Sequence, residues 1–152
     1  MIFVKTIGVL FLFLGCAAGG FHLSSRLTKR RKSIHEICVC IGEISHLIEM
    51  GEERSRIINK VFLNTNLKVK ENENYTVTVS CESLKKEDIH LLNEYFSRFG
   101  ISDTQSQTSL CETYKKLFEN LFNAAKEEER LKGQMYKTCG VLMAVALVIF
   151  VI

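Results

Sequence analysis

The chain has 152 residues, 24% of them charged and 47% apolar, which suits one modest core and excludes a disordered or collagen-like chain. Its charge is unevenly placed: no Asp, Glu, Lys or Arg occurs from Thr6 to Ser25 or from Thr138 to Ile152, while all 17 acidic residues and all but one of the 20 Lys and Arg lie between Arg26 and Lys137. That distribution excludes an ordinary soluble enzyme with its core spread along the chain, and a central net charge of +2 leaves no electrostatic footprint for nucleic acid.

The first apolar stretch, Ile7 to Phe21, sits in a run of twenty uncharged residues. As a helix that run reaches about 30 Å, the thickness of a bilayer's hydrocarbon layer. The competing reading is a cleaved secretory signal, with Lys5, an apolar run and small residues at Ala17–Gly20; a variant of it lipid-modifies Cys16. Arg26, Lys29, Arg30, Arg31 and Lys32 follow directly and favour a retained anchor, because such cations hold their flank in the cytoplasm.

The middle of the chain reads as helices. Ile34, Ile37, Cys38, Ile41, Ile44 and Ile48 recur at spacings of three and four, one stripe of an amphipathic helix that Gly51 ends or bends. The pattern resumes with Ile57, Ile58, Val61 and Phe62. Residues 64–74 are polar and Asn-rich and read as a loop. Tyr75-Thr-Val-Thr-Val-Ser-Cys81 alternates like a strand, but a lone strand among helices has nothing to pair with, so a helix or extended linker is expected there. Ser83 is placed to cap a helix starting near Leu84 that carries Ile89, Leu92, Tyr95, Phe96 and Phe99, with Gly100 as its left-handed C-terminal residue.

Ser102-Asp-Thr-Gln105 spells a capping box. It opens the longest helical pattern: Leu110, Tyr114, Leu117, Phe118, Leu121, Phe122, Ala125, Leu131 and Met135. The chain has no proline to stop this helix, and Gly133 and Gly140 are its expected places to bend. The final apolar stretch, Thr138 to Ile152, spans roughly 22 Å as a helix. Starting at Gly133 lengthens it to 20 residues with Lys137 as the sole charge, a side chain that snorkels to the headgroups beside an interfacial Tyr136.

The layout expected is therefore a hairpin, with anchors over 1–25 and 138–152, a cytoplasmic domain over 26–137, and termini on the other side. Gly15 with Gly19, and Gly140 with Ala144, form small-xxx-small pairs that let helix backbones approach each other or a partner's.

Little in the sequence carries chemistry. It has no phosphate-binding glycine loop, nucleophile elbow or His-Glu-x-x-His. The best metal candidate is His35-x-x-Cys38-x-Cys40, with His46 as a further ligand, yet on a helix Cys38 and Cys40 point about 200° apart. Cys38 is better explained as a small core residue. Disulfides among Cys38, Cys40, Cys81 and Cys111 are not expected in a reducing cytoplasm. No catalytic residue, cofactor or metal site is assigned. Secretion with cleavage of the signal, or a thiol or metal role in a membrane protein, are the alternatives.

Phe99-Gly-Ile-Ser-Asp-Thr-Gln-Ser-Gln107, then Leu110, Ala124-Ala125 and Met135-Tyr-Lys-Thr-Cys-Gly140 before an apolar tail, resembles the stage III sporulation protein AB family. Ile48-Glu-Met-Gly51 is similar to a further element of that family. The matched residues are Gly100, Ser102, Asp103, Gln105, Gln107, Met135, Tyr136 and Gly140. In this light Ser102 and Gln105 cap the long helix, Asp103 favours its positive end, Gln107 holds a neighbouring helix, and Tyr136 serves the membrane interface. Arg26, Lys29, Arg30, Arg31, Lys32 and Lys137 are expected at the membrane interface, near lipid headgroups.

The resemblance implies an all-α fold, an antiparallel helix bundle between two transmembrane helices, like the F-type platform protein of type II secretion and type IV pilus machines. It also implies a non-enzymatic place in the complex between mother cell and engulfed forespore, in the mother-cell membrane facing the forespore. The partners so implied are membrane lipid, a secretion-type ATPase (the family's AA protein) and ring-forming channel proteins, with homo-oligomers also compatible.

Overall fold

The computed structural model describes residues 2–63, 65, 67–71 and 77–151; the side chains of residues 2–7, 9, 10, 12, 16, 68–71, 147, 150 and 151 lie outside the description. Helix α1 runs Ile2–Glu49 and α2 Arg54–Phe62, followed by strands β1 (Lys68–Glu71) and β2 (Val77–Ser80). Helix α3 is Lys86–Arg98 and α4 Thr104–Glu128; a π-helical turn, Glu129–Gly133, leads into α5, Gln134–Val151. The chain divides into two compact units: Met1–Lys29 with Ala124–Ile152, and Arg30–Asn123. Among the described residues, no helix is long and apolar enough to cross a membrane. The anchors read over 1–25 and 138–152 fall in part on residues whose side chains lie outside the description.

The Arg30–Asn123 unit is built around the isoleucine stripe of α1. Ile34, Ile37, Ile41 and Ile44 are fully buried with Ile57 of α2, and Ile58 and Val61 of α2 are buried beside it. Buried against them are Leu92, Tyr95 and Phe96 of α3, Phe99, and Cys111, Tyr114 and Phe118 of α4. Tyr95 is the aromatic hub, with ring centroids 5.0 Å from Phe96, 5.9 Å from Phe99 and 5.3 Å from Tyr114. Each such side chain contributes roughly 1.5–3 kcal/mol by leaving water, which makes this the main stabilising cluster of the unit.

The alternating segment is a strand after all. Residues Val77–Ser80 pair antiparallel with Lys68–Glu71, with Val69 opposite Val79, so part of the expected 64–74 loop supplies the missing partner. Val77 and Val79 point into the core, and the Val79 amide donates to Asn93 Oδ1 on α3 at 3.0 Å. That bond ties the hairpin to the helices and satisfies a backbone donor that, among the described residues, no third strand takes. The third helix begins at Lys86, two residues later than expected. Ser83 does not cap it; its hydroxyl pairs with Ser33 at 2.8 Å and with the Cys81 thiol at 3.1 Å.

In the other unit, the first part of α1 runs antiparallel to the π turn and α5. The seam between them is lined by small residues. A Cβ on Gly20 would stand 2.6 Å from the Tyr136 carbonyl oxygen and 3.2 Å from the Gly140 Cα, and one on Gly133 would stand 3.3 Å from Ser24 Oγ. Ala125 and Ala144 are buried, and Thr28 Oγ1 donates to Glu129 Oε1 at 2.7 Å. The pair Gly15 and Gly19 is not in this seam: among the described residues, nothing lies within 4 Å of a Cβ added at either position. Eight residues of regular helix from Ala125 to Gly133 would overshoot the seam by about 80°. The π turn absorbs one residue and brings Gly133 back to within about 20° of it.

Candidate functional site

The residues of the Phe99–Gln107 motif build the corner between α3 and α4. The Phe99 amide donates back to the Tyr95 carbonyl at 3.0 Å, and Gly100 takes φ +82°, a left-handed conformation that favours glycine. An added Cβ would also stand 2.6 Å from Arg54 Cδ, so the Arg54 side chain would have to shift. Arg54 in turn lies over the Phe99 ring, its guanidinium carbon 5.7 Å from the centroid.

The cap of α4 is shifted by one residue from the sequence reading. Asp103, not Ser102, is the cap: its carboxylate accepts from the Ser106 hydroxyl at 2.6 Å and the Ser106 amide at 3.3 Å. Those bonds, the hydroxyl's first, hold the Asp103 carboxyl below its ordinary value. Gln105 is exposed, and Ser102 is engaged elsewhere, its hydroxyl accepting from Gln107 Nε2 at 3.1 Å.

Gln107, only 4% exposed, is the clasp of the corner. Its Oε1 accepts from the Gly100 amide at 3.0 Å, and its Nε2 reaches the Arg98 carbonyl at 3.4 Å. One side-chain amide thus satisfies a donor and an acceptor that the end of α3 leaves open.

The basic cluster separates into two kinds of residue. Arg26, Lys29 and Lys32 are exposed, as is Lys137, and Arg31 is half-buried. Arg30 is not an interface cation: it is 9% exposed, and its guanidinium grips Asp88 with Nε–Oδ2 at 2.8 Å and Nη2–Oδ1 at 3.0 Å. Asp88 also accepts from the Lys85 amide at 3.1 Å, so one carboxylate caps α3 and neutralises Arg30. Nothing local marks Arg30 out from its four neighbours; its acidic partner lies 58 residues away.

Met135 and Tyr136 are exposed side chains, and it is the Tyr136 carbonyl and the Gly140 Cα that Gly20 approaches. Sequence reasoning missed Gly20, Ser24 and Thr28. Their spacing of four was the available signal, obscured by the equally spaced Gly15 and Gly19.

Cys38, Cys40 and Cys111 are buried thiols. Burial pushes the Cys38 thiol up to about 11, with Glu119 adding to it, and the Cys40 thiol up to about 12, with Glu43 and Glu36 adding. They are protonated and poor nucleophiles at neutral pH. His35 and His46 line a groove of about 650 Å³ with Cys38, Glu43, Glu119 and Phe122. Among the described residues, no group of three or more His, Cys, Asp or Glu side chains could hold a metal ion.

The matched motif residues therefore build a structural clasp between α3 and α4. A family model described as stage III sporulation protein AB matches residues 5–152. The chain belongs to that family. Membership in the stage III sporulation protein AB family gives it a role in stage III of sporulation, and the family is not a known enzyme family. The match takes in the first half as well, where the sequence alone carried little beyond Ile48–Gly51. No curated protein and no solved structure matches the chain.

Proposed function

We propose that this AB-family protein is a non-enzymatic membrane platform in the channel complex between mother cell and forespore, holding a partner ATPase beside the channel. The Arg30–Asn123 unit would be the cytoplasmic platform, and the other unit a hairpin of two anchors in the mother-cell membrane facing the forespore, with both termini on the far side.

The observation that carries the membrane part is an inverted packing order. The α1–α5 seam buries Gly20, Ser24, Gly133 and Ala144, while Phe11, Leu14, Phe21, Leu142, Met143 and Ile149 face outward. In water those large apolar groups would be the core; in lipid, helices associate through small residues and leave the large ones to the acyl chains. The exposed Arg26, Lys29 and Lys32 follow one apolar stretch and Lys137 precedes the other, consistent with a cytoplasmic flank.

Two measurements test the reading. Co-purification of the full chain with the partner ATPase is expected, and failure to associate would count against the platform role. In sealed membrane vesicles, an impermeant thiol reagent applied to the side that bears the termini should leave Cys81 unmodified, since it would lie on the cytoplasmic side. Modification of Cys81 from the termini side would overturn the topology.

A further inference from the structure

Two turns of the Arg30–Asn123 unit meet. One leaves α1 through Met50 and Gly51, the latter at φ +77°, and reaches Arg54. The other leaves α3 through Gly100 and Ile101 and enters α4. Arg54 joins them by lying over Phe99 and against Gly100. The fold accounts for the matched polar residues of the second turn: Gln107 clasps α3, Ser102 accepts from Gln107, and Asp103 caps α4.

Among the side chains that point outward from the two turns, two are large and apolar. Ile101 is 75% exposed and Met50 67% exposed. Neither helps the core, and water is an unfavourable neighbour for both. Their surroundings carry charge of one dominant sign. Glu49, Glu52, Glu53 and Asp103 are exposed around the two turns. Against them stand Arg54, turned onto Phe99, Arg56, which is 4.0 Å from Glu53, and Arg98, whose charge is taken up by Glu94 at 2.8 Å.

We infer that these two joined turns form the surface on which the platform receives its cytoplasmic partner, and that the partner presents a basic rim around a small apolar pocket. The inference rests on the platform reading and adds the face and its chemistry. Charge selects the occupant. A second copy docking through the same face would set carboxylates against carboxylates, and an anionic lipid surface would be repelled, whereas a Lys- and Arg-rimmed protein surface gains steering and covers Met50 and Ile101.

The test is a titration of the full chain in detergent with the purified partner ATPase, at low and at high salt. Glu49→Lys with Glu52→Lys is expected to weaken binding about tenfold at low salt and to remove most of its salt dependence. Met50→Ala with Ile101→Ala should weaken it by a similar factor at both salts. Leu117→Ala, an exposed leucine elsewhere on α4, should bind like the parent. All three leave buried residues untouched, and equal thermal melts would confirm intact folds. Parent-like binding by both variants of the turns overturns the surface and leaves the platform role standing; no binding by the parent overturns the platform role itself.

Discussion

The two compact units bury opposite kinds of residue. The Arg30–Asn123 unit hides isoleucines and aromatic rings and, the Arg30–Asp88 pair aside, places most of its charge outside, the order that water imposes. The unit holding the chain ends hides glycine, serine and alanine and turns phenylalanine, leucine and methionine outward. The same chain therefore carries two packing rules, and the proposed membrane placement rests on the second of them.

The comparison breaks most readily at Arg30. Arg30→Ala should destabilise the bundle by about 3–5 kcal/mol, because the Asp88 carboxylate stays buried without its counter-charge. Circular-dichroism melting would show it, and an unchanged melt would return Arg30 to the interface cations. Gly20→Val should act on the other unit alone. A disulfide between Ser24→Cys and Gly133→Cys, expected to form readily in the parent, should fail in its presence, while the bundle melts as before.

Gln107→Ala should cost about 1–3 kcal/mol by leaving the Gly100 amide and the Arg98 carbonyl without partners. Loss of the Asp103 cap is a smaller effect with a distinct pH signature. Its carboxyl is depressed in the folded state, so its contribution is present at neutral pH and is lost as pH falls through the folded value. Asp103→Asn should flatten that acid limb of the stability curve. The buried thiols run the other way. Cys38 and Cys40 are raised to about 11 and about 12 from an ordinary 9.0, so stability intact below pH 9 is lost as pH climbs through those values. Cys40→Ala should reduce that alkaline loss, read from melting temperatures between pH 8 and 11.

Much of the first unit's interior was legible because a helix repeats itself locally. The spacing of Ile34, Ile37, Ile41 and Ile44 predicts their burial from the sequence. Gly100 was legible as a helix end, since only glycine takes that backbone conformation without strain. The capping site was legible only to within one residue. Ser102 and Asp103 are both good caps; in the fold Asp103 takes that role and the Ser102 hydroxyl accepts from Gln107 instead.

What the sequence by itself determined is whatever depends on near neighbours: two uncharged ends, the helical stripe of α1, the corner at Gly100 and the long helix beyond it. Tertiary structure decided the pairing of Val77–Ser80 with Lys68–Glu71, the turning inward of Arg30, and the choice of Gly20 over Gly15 and Gly19 for the seam. The physical reason is range. A helix period or a glycine φ is set by adjacent peptide units, whereas a strand partner, a buried counter-ion and a close backbone approach depend on residues that only the folded chain brings together.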